Sequence, residues 1–552
     1  MSTGSRQVAL RARLTQGRGR NGHQAIAAAL LRGGITHVYS LAGKPMYATL
    51  GACVEAGLQV IGCRSQFGAL SAALAHNYQA GAFQAIAMCS PAPGVTNSIT
   101  SLSDAKENQW PMLLIAGMVE DPEDEGKGFQ SFDGGRAASE TCKGVIRARD
   151  RTMLPHEIHQ ALTEAQTAPQ GPLFVEVGAS VLNARHNDPR ESDAASPERE
   201  PVPVQKPLPA AAATARQGQQ GQKPLLVLGE GLRWSATQVP KAAERLRQRV
   251  EQLNLPVLAT PMGRGLLPDS HRLSVFLAKE ATLSQCDHLL LCGATLDWRL
   301  GGKPALSDPG GVQQVAADWE VLLGLLEGLD EGSIDEIWAR AMAGSHQQEL
   351  DKLRRQAVGS AETFAMNQLC EALGQWLPED CVSIVDSGLG LSTGHSFWRV
   401  QQPFVRMTAG QNGTMGLGIP FALGAALQAP DRPVVALVGD VGFGLTATEL
   451  ETAVRHAARL IIVVADNGGI NGRGFQDNWM PGGDLDVLRY SRQVDYAKVA
   501  EGWGARGVTV TTPQALQQAL SQAIEATGPT VISVPMVTCF GDGITGEGQG
   551  NG

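Results

Sequence analysis

No run of apolar residues in this chain approaches the ~20 needed to cross a bilayer, which argues against a membrane-spanning protein. None of its nine cysteines forms a CxxC pair, and their scatter fits reduced core residues of a cytoplasmic protein rather than a disulfide framework. The first 22 residues carry five arginines and no acid, yet no apolar stretch follows them. A secretory leader is therefore not expected, and residues 1–22 read as a flexible arm. Excess positive charge is also missing: a net charge of −9 argues against a nucleic-acid or membrane-surface partner. His156-Glu157-Ile158-His159 misses the zinc-binding HExxH spacing by one residue and reads as an ordinary helix face. One absence is local, because no Asp or Glu occurs between Glu55 and Asp104. What is present is bulk: 552 residues at 43% hydrophobic content support several large cores, in three or four domains.

The most informative stretch runs from Val434 to Gly474. Val434–Val438 is a continuous apolar run, as a buried parallel strand requires, and Leu460–Val464 is a second. Between them lies a helical pattern with an apolar stripe at Leu450, Val454 and Ala457, headed by Thr446 and Glu449 at capping-box spacing. In a right-handed βαβ unit both strands point the same way. Asp440 and Asn467, 27 residues apart, then stand just past two carboxyl ends, where open α/β sheets bind ligands. One carboxylate, one amide oxygen and one loop carbonyl make half an octahedral oxygen shell, which Mg²⁺ completes with phosphate and water. The helix start between the strands adds N–H groups for an anion. The alternative is an ordinary βαβ unit with Asp and Asn in its turns.

Elsewhere the chain alternates in the same way. Residues 23–184 hold helical segments at Gln24–Leu31, Met46–Glu55 and Gly68–Tyr78, and strand-like ones at Val38–Leu41, Val60–Cys63, Ala85–Cys89 and Pro172–Val177. Residues 185–222 are a linker rich in Pro, Ala, Gln and charge. Residues 223–350 form a second unit, with strands at Pro224–Leu228, Pro256–Ala259, His288–Cys292 and Val312–Ala316 and a helix at Pro240–Gln252. The Gly229-Glu230-Gly231 turn in it is a weak dinucleotide signal. Arg233, Arg264 and Arg299 could meet phosphates, although solvated surface charge is the preferred reading. Residues 360–540 form the third unit, and residues 541–552, half of them glycine, a flexible tail. The fold class is thus α/β, with three doubly wound parallel-sheet domains.

Gly439-Asp440-Val441-Gly442 followed by Asn467 resembles the diphosphate-binding motif of thiamine diphosphate enzymes, with Val441 at a position usually held by a smaller residue. The ending Asn467-Gly468-Gly469-Ile470 is most similar to the oxalyl-CoA decarboxylase and 2-hydroxyacyl-CoA lyase group, as is Gly293-Ala294-Thr295-Leu296-Asp297-Trp298. Ser90-Pro91-Ala92-Pro93-Gly94-Val95-Thr96-Asn97 resembles the family's Thr-Ser-Gly-Pro-Gly-x-Thr-Asn, with Pro91-Ala92 in place of Ser-Gly. The resemblance covers roughly residues 23–540. It implies a pyrimidine-binding, a central and a diphosphate-binding domain, with the cofactor between subunits of a homodimer or homotetramer. Asp440, Asn467 and Gly469 would hold Mg²⁺. Gly388, Leu389, Gly390, Val441, Gly442 and Ile470 would line the diphosphate. Met415 would wedge the cofactor into a bent shape, and the Gly413 carbonyl would accept from its 4′-amino group. Gln130, after Phe129, would face the substrate unless it is a plain surface loop residue. His395 is a candidate acid–base. In relatives the central domain holds ADP, FAD, part of CoA, or nothing.

Gln66 departs from the pattern. Arg64-Ser65-Gln66-Phe67-Gly68-Ala69 stands where the family has Arg-His-Glu-x-x-Ala, and the acid-free stretch around it leaves no shifted register that restores a carboxylate. The family's Glu shares a proton with the pyrimidine ring. A Gln amide donates a hydrogen bond but gains or loses no proton near neutral pH. Loss of a general acid–base costs ~10²–10⁴-fold. Two readings follow: a lyase, decarboxylase or carboligase for a small 2-oxo or 2-hydroxy acyl substrate, as acid or CoA ester, with non-standard cofactor activation; or a cofactor-binding regulatory or structural subunit with little catalysis.

Overall fold

A computed structural model describes residues 21–118, 129–184, 222–235, 239–300, 311–355, 364–388, 394, 396–470, 490–491 and 493–536. Leu389, Gly390, His395, the arm through residue 20, nearly all of the linker and the tail lie outside them. Two compact units contain the described residues: Met1–Pro207 with Leu423–Ala429, and Leu208–Ala422 with Pro430–Gly552.

In the first unit, strands β1 (His37–Ser40), β2 (Gln59–Gly62), β3 (Ala85–Cys89), β4 (Met112–Met118), β5 (Gly144–Ala148) and β6 (Pro172–Gly178) form one parallel sheet, ordered β2-β1-β3-β4-β6-β5. Local signals start and stop its helices. Asn21 caps Gly22–Arg32 through a capping box, accepting from the Gln24 N–H at 3.1 Å while its own N–H reaches the Gln24 side chain. Ser65 caps Gln66–Ala80, and Gly81, left-handed at φ +63°, ends it. Ile26, Leu30, Leu113, Ile115, Ile158 and Val175 are buried in a core on one face of the sheet. Each such side chain contributes about 1.5–3 kcal/mol by leaving water.

The second unit holds two sheets, also all parallel. Strands β7 (Pro224–Leu228), β8 (Val257–Ala259), β9 (His288–Cys292) and β10 (Val312–Val315) run in the order β10-β9-β7-β8. Strands β11 (Val382–Val385), β12 (Arg406–Thr408), β13 (Val434–Gly439), β14 (Ile461–Asp466), β15 (Arg506–Thr509) and β16 (Thr530–Pro535) run β12-β11-β13-β14-β16-β15. Strands β13 and β14 pair parallel from Val435↔Ile461 to Gly439↔Ala465, so Asp440 and Asn467 leave the same sheet edge.

The central sheet corrects two readings. Gly229 and Gly231 bind protein backbone: their N–H groups donate to the Cys292 and Gly293 carbonyls at 2.9 and 2.8 Å. A Cβ at Gly229 would lie 2.1 Å from the Gly293 oxygen, so close chain packing explains this turn. Two of the three arginines are not solvated. Arg264 is buried with Asp269 and lies over the Phe276 ring. Arg299 donates to Glu230 at 2.8 Å and to Asp297 at 2.7 Å. Burial alone would lower the Arg299 pKa, but the two carboxylates carry it above its ordinary value. Arg233 stacks over Phe404 at 5.1 Å. Sequence spacing shows an arginine but not the acid that folding brings to it.

The helical reading between β13 and β14 also changes. Two short helices, Asp440–Thr446 and Glu449–Arg455, replace one long one, and Ala457 is exposed beyond the second. Thr446 is no cap. Its hydroxyl donates to the Gly416 carbonyl at 2.9 Å, and Glu449 is buried, accepting from Thr452. His156 and His159 are exposed on the helix Leu154–Gln166, while Glu157 points inward, where burial and then Asp150 push its pKa up to about 7. Every described cysteine is free and buried. Among the described residues no helix is long and apolar enough to cross a membrane.

Candidate active site

Four adjacent strands of the third sheet end in loops that meet. In the order β12-β11-β13-β14 the chain leaves β11 toward one side and returns at β13 on the other, so the switch point lies between them. Asp386 follows β11 and is 3% exposed. Its carboxylate accepts the Ser387 N–H at 2.7 Å and the Gly416 N–H at 3.0 Å. Burial pushes its pKa up to about 6, against the lowering effect of N–H groups on Ser387, Gly416, Gly418 and Leu417. A Cβ at Gly442 would sit 2.4 Å from the Asp386 carboxylate. Asp386 therefore ties the loop after β12 to the turn after β13.

That tie shapes the Gly413–Gly418 segment. Gly413 (φ +63°) and Gly416 (φ +86°) are left-handed, a conformation L side chains rarely adopt. Between them Met415 is 39% exposed, which excludes a plain core role. The Thr446 hydroxyl holds the Gly416 carbonyl from the other side. In the central domain the Trp298 indole N–H donates to the Gln411 carbonyl at 2.8 Å, two residues before Gly413.

Asp440 is 2% exposed. It accepts from the Val441 N–H and the Gly469 N–H, each at 2.8 Å, which brings the Asn467–Gly469 loop against it as the βαβ geometry predicts. Burial raises its pKa to about 6, the backbone N–H groups of Val441, Gly469 and Gly468 pull it down, and the nearby Asp466 pushes it up again. It makes no ion pair among the described residues. A buried, uncompensated carboxylate beside a second acid fits a divalent cation, and Asn467 and Gly469 offer further oxygens of the type Mg²⁺ takes. Gly388, Val441 and Ile470 flank these turns and are half-buried.

The first unit supplies a different set. Gln66 opens the helix after β2 and is 8% exposed. Its Oε1 accepts from the Asn97 side-chain N–H at 3.2 Å. Asn97 ends the short helix Pro93–Thr96, which is entered through Ala92 at φ +52°, ψ −102°. This is the position where the resembling motif carries glycine. Gln130, also left-handed at φ +61°, is half-buried beside Phe129, which is 76% exposed. It makes no hydrogen bond with Gln66 among the described residues.

Sequence reasoning missed Asp386 and Thr446 as organisers of the site. Asp386 carried a signal, an acid closing an apolar strand, but Thr446 had none, since its partner is 30 residues away.

Family models match the chain in three consecutive blocks: the thiamine pyrophosphate enzyme N-terminal TPP binding domain over 20–137, its central domain over 213–318, and its C-terminal TPP binding domain over 387–534. The chain is 28% identical to a 2-hydroxyacyl-CoA lyase of Arabidopsis thaliana, over 93% of this chain and 95% of that protein. It is 26% identical to human 2-hydroxyacyl-CoA lyase 1 and to the oxalyl-CoA decarboxylase of Escherichia coli K12, each over 93% of this chain and 94% of the other. With three domain models in order on three parallel α/β sheets, the chain belongs to the thiamine pyrophosphate enzymes.

Proposed function

We propose that this enzyme is a thiamine diphosphate- and Mg²⁺-dependent lyase or decarboxylase that cleaves a C–C bond in a 2-hydroxyacyl- or 2-oxoacyl-CoA. The buried Asp440, without an ion-pair partner among the described residues and set against the Asn467–Gly469 loop, carries the reading, because a bound cation would offset the cost of burying its charge. The CoA ester is supported by the similarity to 2-hydroxyacyl-CoA lyases and an oxalyl-CoA decarboxylase. The cofactor, when bound, supplies a carbon nucleophile and an electron sink for the carbanion that C–C cleavage leaves.

The chain's own residues bind and orient. Asp440, Asn467 and the Gly469 carbonyl hold the metal. Gly388, Leu389, Gly390, Val441, Gly442 and Ile470 would line the diphosphate. Met415 would pack against the cofactor, and the Gly413 carbonyl would accept a hydrogen bond from its amino group. Gln66 donates to the ring nitrogen, and Gln130 and His395 serve the substrate side. The site is completed by a second copy in a homodimer or homotetramer. The free, buried cysteines agree with a reducing compartment such as the cytoplasm. The central-domain arginines Arg264 and Arg299 are spent on internal acids and give a nucleotide there no support.

The test begins with H/D exchange at C2 of bound thiamine diphosphate. Exchange faster than in free cofactor, followed by Mg²⁺-dependent consumption of 2-hydroxyacyl-CoA or oxalyl-CoA, is expected. Exchange no faster than free cofactor would overturn the catalytic reading. Turnover of free 2-oxo acids alone would overturn the CoA part.

A further inference from the structure

We propose that Asn97 is a positioning residue that locks the Gln66 amide in one orientation, so that the site meets the cofactor's aminopyrimidine with a fixed, non-titrating hydrogen-bond donor. The inference rests on the cofactor reading above. Gln66 has one side-chain acceptor and two donors. The acceptor is taken: Oε1 receives the Asn97 N–H at 3.2 Å. The donors are not, because Nε2 makes no hydrogen bond among the described residues.

The backbone on both sides is held. Ser65 caps the helix that Gln66 begins, accepting the Gly68 N–H at 2.8 Å. Asn97 donates its own backbone N–H to the Pro93 carbonyl at 3.0 Å. The turn carrying Asn97 keeps Ala92 in a conformation suited to glycine, so packing imposes its course. Ser90 contributes, since Gly43 and Gly94 both press against it.

The reverse orientation of the amide would set Oε1 against a ring nitrogen, acceptor to acceptor. With Asn97 presenting its N–H to Gln66, that orientation would also set N–H against N–H and is disfavoured on both sides. A glutamate at this place would accept the same Asn97 N–H and still exchange a proton with the ring. Gln66 cannot, so Gln66 with Asn97 makes a donor whose state does not change near neutral pH.

The experiment measures calorimetric binding, with Mg²⁺, of thiamine diphosphate and of an analogue bearing C–H in place of the ring nitrogen. The wild type, Asn97→Ala and Asn97→Asp are compared at mildly acidic and mildly alkaline pH. Asn97 is exposed, so neither substitution disturbs a core. The wild type is expected to prefer the natural cofactor roughly tenfold, the scale of one good hydrogen bond, equally at both pH values. Asn97→Ala should shrink that preference to about twofold. In Asn97→Asp the carboxylate can only accept, so the Gln66 amide turns over. Natural cofactor should then bind more tightly as pH falls and its ring nitrogen takes a proton. Full discrimination in Asn97→Ala, or a flat pH response in Asn97→Asp, would overturn the positioning role alone. Failure of the wild type to bind either compound would overturn the cofactor reading and this inference with it.

Discussion

The first and third sheets have one topology and two chemistries. Numbered from its own first strand, each runs 2-1-3-4-6-5, all parallel, with the switch point between its first and third strands. In both, a glycine at that point lets two loops close up: a Cβ on Gly43 would meet the Ser90 Cβ at 2.7 Å, and one on Gly442 would meet Asp386 at 2.4 Å. What fills the crevice differs. The third sheet buries two carboxylates, Asp386 and Asp440, under backbone N–H groups. The first places the neutral Gln66, Ser90 and Asn97 around its corresponding edge, with no acid between Glu55 and Asp104. The same packing thus frames two buried carboxylates in one place and an uncharged hydrogen-bonding cluster in the other. Strand pattern and glycines make the frame, and a few loop residues make the chemistry.

Removing the charge of the third sheet should break this contrast most strongly. Asp440→Asn is expected to weaken Mg²⁺-dependent cofactor binding at least a hundredfold, about 3 kcal/mol or more, read by calorimetry. The cofactor-free protein should respond in the opposite sense. Burial first of all raises the pKa of Asp386 and Asp440 to about 6. The folded state then holds protons that the unfolded state releases, so stability falls as pH rises from about 4 to about 6. Urea unfolding of wild type without metal should show this decline, up to ~1.4 kcal/mol per pH unit for each group. Asp440→Asn should remove about half of it, whereas an unchanged slope would contradict the buried, unpaired state of this carboxylate.

The shared frame can be tested with matched substitutions. Gly442→Ala and Gly43→Ala each drive a methyl into the facing loop, and each should cost about 1–3 kcal/mol in denaturant unfolding. Only Gly442→Ala presses on Asp386, so it alone should also weaken cofactor binding through the Gly413–Gly418 segment. Equal effects of both on binding would mean that the two switch points are not chemically distinct.

Ala92→Gly carries the smallest expected effect. A residue at φ +52°, ψ −102° is strained unless it is glycine. Relief of that strain, partly offset by glycine's greater freedom in the unfolded chain, should stabilise the protein by about 1 kcal/mol. A loss of stability would show that the Ala92 methyl makes contacts worth more than the strain.

The apolar runs were the legible part of the fold. Ala85–Cys89, Pro224–Leu228 and His288–Cys292 are strands with the bounds the sequence suggests, because a strand buried on both faces is largely apolar along its length. Met112–Met118 is apolar throughout and Thr530–Pro535 is broken by Ser533, while Arg406–Thr408 and Arg506–Thr509 begin on charge and are short edge strands with little pattern to read. Of the site, the Asp440 and Asn467–Gly469 pair was legible, since one crossover length separates them and parallel pairing brings their loops together. The absence of an acid at Gln66 could also be read from sequence alone.

Sequence alone therefore determined the class of the fold, three parallel α/β sheets, and the residue types available at each strand end. Those depend on local pattern and on the length of a crossover. The tertiary structure alone decided the pairings: Asp386 under Gly416, Thr446 on the Gly416 carbonyl, Arg264 and Arg299 on buried acids, Asn97 on Gln66. Such partners are chosen by which loops the sheet order sets side by side, and the burial that makes each bond necessary exists only once the chain has closed around it.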